Sequence, residues 1–169
     1  TARADEWNKK YTVSGRPDVR VETNDGNVRV EAWDGKEIQA HVETLGWKIA
    51  ESEVHVIESQ TGDRVSLEVR IPRRWNWSWN GERHSLKIEL KVPREATLDV
   101  KTGDGNIVLN GVKGELRLTT GDGNIEAGGL DGRLVASTGD GNMRIEGRFD
   151  LLDLHTGDGN IAARTQSGS

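Results

Sequence analysis

The pentapeptide Thr-Gly-Asp-Gly-Asn occurs four times, beginning at Thr102, Thr120, Thr138 and Thr156, an interval of 18 residues each time. A period held that strictly makes each repeat one structural unit. Such a unit cannot bury an apolar face alone, and stacking of neighbours supplies the core. Apolar residues keep phase around the pentapeptide. Leu98 and Val100 precede the first copy, then Leu116 and Leu118, Leu134 and Ala136, and Leu152 and Leu154. Ile107 and Leu109 follow it, then Ile125 and Ala127, Met143 and Ile145, and Ile161 and Ala163. Within each run apolar and polar residues alternate, the pattern of a strand with one buried face, and helical spacing is absent. Glycines at 111, 114, 129, 132 and 147 mark a second turn on the opposite edge. Each repeat therefore reads as two short strands and two turns. The chain reads as all-β: a single parallel β-solenoid with coils of about 18 residues, right-handed as parallel crossovers almost always are.

Two other solenoids are excluded by the same residues. A hexapeptide β-helix needs an apolar residue every six positions, and from Leu98 those positions fall on Asp104 and Asn110. A calcium β-roll needs Gly- and Asp-rich turns on both edges, and here only one turn per coil carries Asp regularly.

The first half carries a looser version. Val19, Val21 and Thr23 lead into Asn24-Asp25-Gly26-Asn27, and Val28 and Val30 follow. Thr44-Leu45-Gly46-Trp47-Lys48-Ile49 and Thr61-Gly62-Asp63-Arg64-Val65 are expected to be further coils of irregular length. Between two alternating runs, Val65–Ile71 and Leu86–Val92, lies a segment that contains the turn signal Asn80-Gly81. The expectation is one solenoid domain over 1–169, irregular over 1–101 with a loop projecting near 72–85, and regular over 102–163.

Composition has to be reconciled with that core. Only 33% of residues are hydrophobic, 30% are charged, and mean hydropathy is -0.68, values that approach those of disordered chains. Here the strict pattern argues for order. The net charge is -5 with no basic run, so a nucleic-acid phosphate backbone is not expected as a partner. No segment approaches the ~18 consecutive apolar residues of a membrane span. With no cysteine, disulfides and thiolate metal sites are excluded. The chain begins Thr1-Ala2-Arg3-Ala4 without methionine, as removal of a signal peptide or excision from a longer chain would leave it.

The repeated TGDGNI, the opening TNDGNV and the Val92-Pro93 element resemble the bacterial "putative adhesin" β-strand-repeat family, a domain of unknown function. The resemblance spans roughly Tyr11 to Ala163. It implies a β-solenoid and an extracytoplasmic location, whether periplasmic, envelope-associated or secreted. It implies no catalytic residues and no cofactor. The expected role is a non-catalytic binding or scaffolding module whose partner is an envelope glycan or a protein; self-association through a solenoid end or the tryptophan loop is a further possibility. A calcium-stabilised structural repeat is the alternative, and a carbohydrate-active β-helix enzyme the third reading.

Few residues point to chemistry. His41, His55, His84 and His155 are scattered, and no nucleophile elbow, metalloprotease helix or phosphate loop is present. One outward column reads Asp99, Arg117, Val135, Asp153, and another Lys101, Thr119, Ser137, His155. Neither supplies the two carboxylates of acid–base hydrolysis. Asp104, Asp122, Asp140 and Asp158 should stack ~4.8 Å apart, where two like charges in water repel by about 0.9 kcal/mol. They are weak candidates for a cation. The plainer expectation is that Asp and Gly set the turn conformation and that no metal binds. Trp75, Trp77 and Trp79 alternate with polar residues beside Arg73 and Arg74. On an extended strand they form an aromatic strip that either contacts a ligand or partner or covers a solenoid edge.

Overall fold

A computed structural model describes residues 4–46, 49, 54–71 and 85–166. Among these there are thirteen strands and no helix, so none could cross a membrane as a helix. The regular part runs through β8 (Thr97–Asp104), β9 (Ile107–Asn110), β10 (Lys113–Thr120), β11 (Ile125–Asp140), β12 (Met143–Asp158) and β13 (Ile161–Thr165). β11 and β12 each round a corner, so the first part of each belongs to one side of the stack and the last part to the other. Pairing is parallel throughout this region, with Leu98 beside Leu116, Leu116 beside Leu134 and Leu134 beside Leu152.

The alternation in the sequence becomes an inside and an outside. Leu116, Leu118, Ile125 and Leu134 are all buried, whereas Arg117 and Glu126 point outward and are exposed. One continuous apolar column fills the stack from Val19 and Val28 to Met143 and Ile145. In the coil formed by the last part of β12 and β13 the equivalent residues are less covered, and Ile161 is 42% exposed.

The first half departs from a sequential stack of coils. β2 (Asp18–Asp25) and β3 (Asn27–Trp33) form a coil directly beneath β8 and β9. The coil below that comes from β6 (Arg64–Arg70) and β7 (Ser85–Pro93), so the chain first steps down one coil and then passes β2 and β3 to resume the stack at β8. Neither the Thr44 nor the Thr61 segment is a coil, which corrects the expectation from sequence. Thr44 is the next-to-last residue of β4 (Glu37–Leu45), which pairs antiparallel with β7 and with β1 (Ala4–Thr12). Thr61-Gly62-Asp63 is the tight turn of an antiparallel hairpin between β5 (His55–Thr61) and β6, with Gly62 at φ +61°. Thr-Gly-Asp without the second Gly-Asn lacks the groups that bond to a stacked neighbour, and a hairpin uses it instead.

These antiparallel strands close one end of the solenoid. Tyr11 is 1% exposed, and its hydroxyl donates to Glu58 Oε2 at 3.0 Å across the end of the stack. Lys9 Nζ donates to the other carboxylate oxygen of Glu58. Gln60 Nε2 donates to the Thr12 carbonyl at 2.8 Å, and the Ser14 amide to Asp63 Oδ1 at 2.7 Å. Burial, with Glu58 beside it, raises the Tyr11 phenol well above its ordinary range. The Lys9 hydrogen bond holds Glu58 below the usual carboxylate value.

Candidate functional site

The repeated pentapeptides form one column along the edge of the stack, held by bonds that recur at every step. Thr120 Oγ1 donates to the Gly105 carbonyl at 2.8 Å and Thr138 Oγ1 to Gly123 at 2.9 Å. The amide N–H of Asn124 donates to Asn106 Oδ1, and that of Asn142 to Asn124 Oδ1, both at 2.8 Å. The ladder extends into the first half, where Thr102 Oγ1 bonds the Gly26 carbonyl and the Asn106 amide bonds Asn27 Oδ1.

The glycines of this column are required by contact between coils. A Cβ on Gly123 would lie 2.1 Å from the Gly105 carbonyl oxygen, and one on Gly105 2.0 Å from that of Gly26. Gly105 and Gly123 have no positive φ, and what they do is let one backbone rest on the next; Gly159, at the same position of the fourth copy, has φ +157° as well.

Asp104, Asp122, Asp140 and Asp158 lie exposed along the outside of the column. Asp25 pairs with Asp104 in register. Its carboxyl is raised by partial burial and then by the charge of Asp104. Among the described residues no three His, Asp or Glu side chains gather as a metal-binding group. His41, His55 and His155 sit on three different strands, β4, β5 and β12. Trp75, Trp77, Trp79, Arg73, Arg74 and His84 lie outside the described residues.

The outward face of the other side carries a depression of about 340 Å³ across β2, β8, β10 and the last parts of β11 and β12. Two adjacent columns line it. In one, Arg20, Asp99, Arg117 and Val135 succeed one another in register. In the other, Glu115, Arg133 and Leu151 do so. Asp18, at the margin, is paired with Arg64 at 3.6 Å. The side chains of Arg20, Asp99, Glu115, Arg117 and Arg133 have no hydrogen-bond or ion-pair partner among the described residues. Leu151 is 50% exposed and Val135 partly so, forming an apolar patch at one end.

Sequence reading reached part of this surface. The column through Asp99 and Arg117 follows from the 18-residue period, which shows its mixed charge but not the neighbouring column that completes the surface. Arg20 was missed because it lies 79 residues before Asp99. Superposing Thr23–Asn27 on Thr102–Asn106, as the register does, is the signal that finds it.

The thirteen described strands, most of them stacked through in-register parallel pairs, define an all-β, solenoid-like fold. The chain belongs to the Toastrack DUF4097 family, whose model matches residues 17–169. Among solved structures it is similar to a "putative cell adhesion protein" from Clostridium sporogenes, at 10% identity and a TM-score of 0.62, covering 97% of this chain and 100% of that one. It also matches a "putative adhesin" from Bacteroides fragilis, at 11% identity and a TM-score of 0.27, covering 96% and 97%. A "putative lipid binding protein" from Parabacteroides distasonis matches at 13% identity and a TM-score of 0.33, covering 98% and 95%. At these identities the first likeness bears on the fold alone. No curated protein matches the chain.

Proposed function

We propose that this chain is a non-catalytic, extracytoplasmic binding or scaffolding module of the adhesin type. In this reading it is a right-handed parallel solenoid with coils of about 18 residues, presenting an outward face to a glycan or protein partner. The observation that carries the reading is how the residues of the regular coils are divided. Inward positions are occupied by aliphatic residues and the pentapeptide column by identical residues, and both are committed to stacking. The outward column meanwhile changes from Arg117 to Val135 to Asp153. A scaffold that repeats everything structural and varies only its outer face is suited to recognition. The name "putative cell adhesion protein", borne by the Clostridium sporogenes structure, agrees with this. In the same proposal Trp75, Trp77 and Trp79, with Arg73 and Arg74, form a second contact element.

The test is retention of the purified chain by isolated bacterial envelopes and by immobilised glycans. The expected result is saturable retention that soluble glycan competes away and EDTA leaves unchanged. Release of new reducing ends from a retained polysaccharide would contradict the proposal and favour a carbohydrate-active enzyme.

A further inference from the structure

We propose that the depression lined by Arg20, Asp99, Glu115, Arg117, Arg133 and Leu151 binds a neutral oligosaccharide chain lying along the stack axis. The inference rests on the binding-module reading and adds to it a site and a ligand class.

Hydrogen-bonding capacity is the first argument. Three guanidinium groups and two carboxylates line one surface, and none of the five has a side-chain partner among the described residues. Guanidinium only donates and an ionised carboxylate only accepts. A sugar hydroxyl does both, so it can bridge a carboxylate and a neighbouring guanidinium. Arg20, Asp99 and Arg117 follow in register on three successive coils, giving a donor–acceptor–donor row with steps of ~4.8 Å. Hydroxyls spaced along an extended sugar chain meet such a row without change of partner type.

Charge is the second. Asp99 and Glu115 offset two of the three arginines, and Asp18 at the margin is already paired with Arg64, so the surface carries both signs with a single positive charge left over. An acidic polymer would meet carboxylates on the same surface and a basic one would meet guanidinium groups. Like charges brought together without a counter-charge cost binding free energy. A neutral chain avoids both penalties.

Shape and apolar contact are the third. The depression lies on an outward sheet face and crosses five neighbouring strands, whereas small-molecule pockets enclose most of their ligand. A polymer passing along the face fits this geometry better. Val135 and the half-exposed Leu151 offer the C–H face of a sugar ring an apolar surface at one end.

Calorimetric titration of the full chain with cellohexaose, maltohexaose and chitohexaose, at low and high salt, tests the proposal, with polygalacturonate as the acidic comparison. The expected result is saturable binding of at least one neutral hexamer, unaffected by salt. Arg117→Ala and Arg133→Ala should each weaken it by about tenfold, with melting unchanged. Three results would overturn the assignment: no neutral hexamer binds, only polygalacturonate binds and salt abolishes it, or the arginine variants bind as the wild type does. Retention by isolated envelopes separates the two levels of failure. If envelopes hold the wild type and both variants equally, the depression is not the site and the binding-module reading stands. If envelopes hold none of them and no oligosaccharide binds, both readings fail.

Discussion

The two ends of the first strand pair in the stack solve the same problem with different bonds. From β2 onward, each coil is joined to the next by parallel strands and a repeated set of turn bonds. Below β6 and β7 the chain switches to antiparallel strands, and Tyr11, Glu58, Lys9 and Gln60 tie the two sides together across the end. The coils depend on sameness, because each carbonyl and side-chain amide meets an identical partner one step away. The cap depends on difference, because a buried phenol and a charged pair occur once. Glycine marks the contrast. Gly123 stands where a Cβ would strike the backbone of the coil below, whereas Gly62 has φ +61° and nothing within 4 Å of a built Cβ.

That comparison can be broken by substitution. Gly123→Ala should cost about 4 kcal/mol, since the clash is with a backbone oxygen that stacking holds in place. Gly62→Ala should cost only about 1 kcal/mol, from strain at positive φ. Chemical denaturation of both variants checks this, and similar losses would mean that both glycines serve turn conformation alone.

In the core, Leu116→Ala should cost about 3 kcal/mol through lost burial and a residual cavity. Leu152, its counterpart two coils on, is only partly buried, and Leu152→Ala should cost about half as much. Equal midpoint shifts in urea would show that the terminal coil is as well covered as the middle one.

The cap and the coils should respond to acid with opposite sign. Glu58 is held below its ordinary pKa by Lys9 and Tyr11, so it contributes stability that is present above the unfolded value. That contribution is lost as pH falls below about 4.5 through the folded pKa. Asp25 runs the other way: its carboxyl is raised, so its contribution is present at low pH and lost as pH rises through the folded value. Glu58→Gln should cost about 0.5–1 kcal/mol at neutral pH and flatten the acid limb of the stability profile. Asp25→Asn should leave that limb in place and stabilise slightly at neutral pH. Thermal melts across acid pH distinguish them.

The smallest effects belong to the outer surface. Arg117→Ala should change stability by no more than about 0.5 kcal/mol. Millimolar calcium should leave the melting temperature where sodium at matched ionic strength leaves it. A ligand specific to the folded state would raise stability by ~2.7 kcal/mol at a hundredfold excess over its Kd, so a calcium site in the aspartate column would be plain in such a scan.

How much of this was legible in the sequence follows the same division. The period, the alternation and the inward positions of Leu116, Leu118, Ile125 and Leu134 could be read directly, because stacking makes each repeat report on its neighbours. The cap could not. Thr44 and Thr61 imitate the start of a coil, and nothing local states that β4 and β5 run antiparallel to their partners; that depends on which strands remain uncovered after β2, β3, β6 and β7 have paired. The asparagines recur visibly with the pentapeptide, but the reason for the glycines was not legible, since a close approach between backbones leaves no mark in one repeat taken alone. The outward depression fell between these cases: Asp99 and Arg117 share a period, and Arg20 joins them only through the pairing of two coils far apart in sequence.

The central claim is that the pentapeptide column is a laddered structural element, which leaves recognition to the outer face. Native-state hydrogen exchange at the Asn124 and Asn142 amides tests it most directly, because each donates to a side-chain oxygen one coil below. The account predicts protection approaching that of the core strands, with opening free energies near the global value. Exchange at the rate of an exposed loop, while Leu116 and Leu118 stay protected, would contradict it.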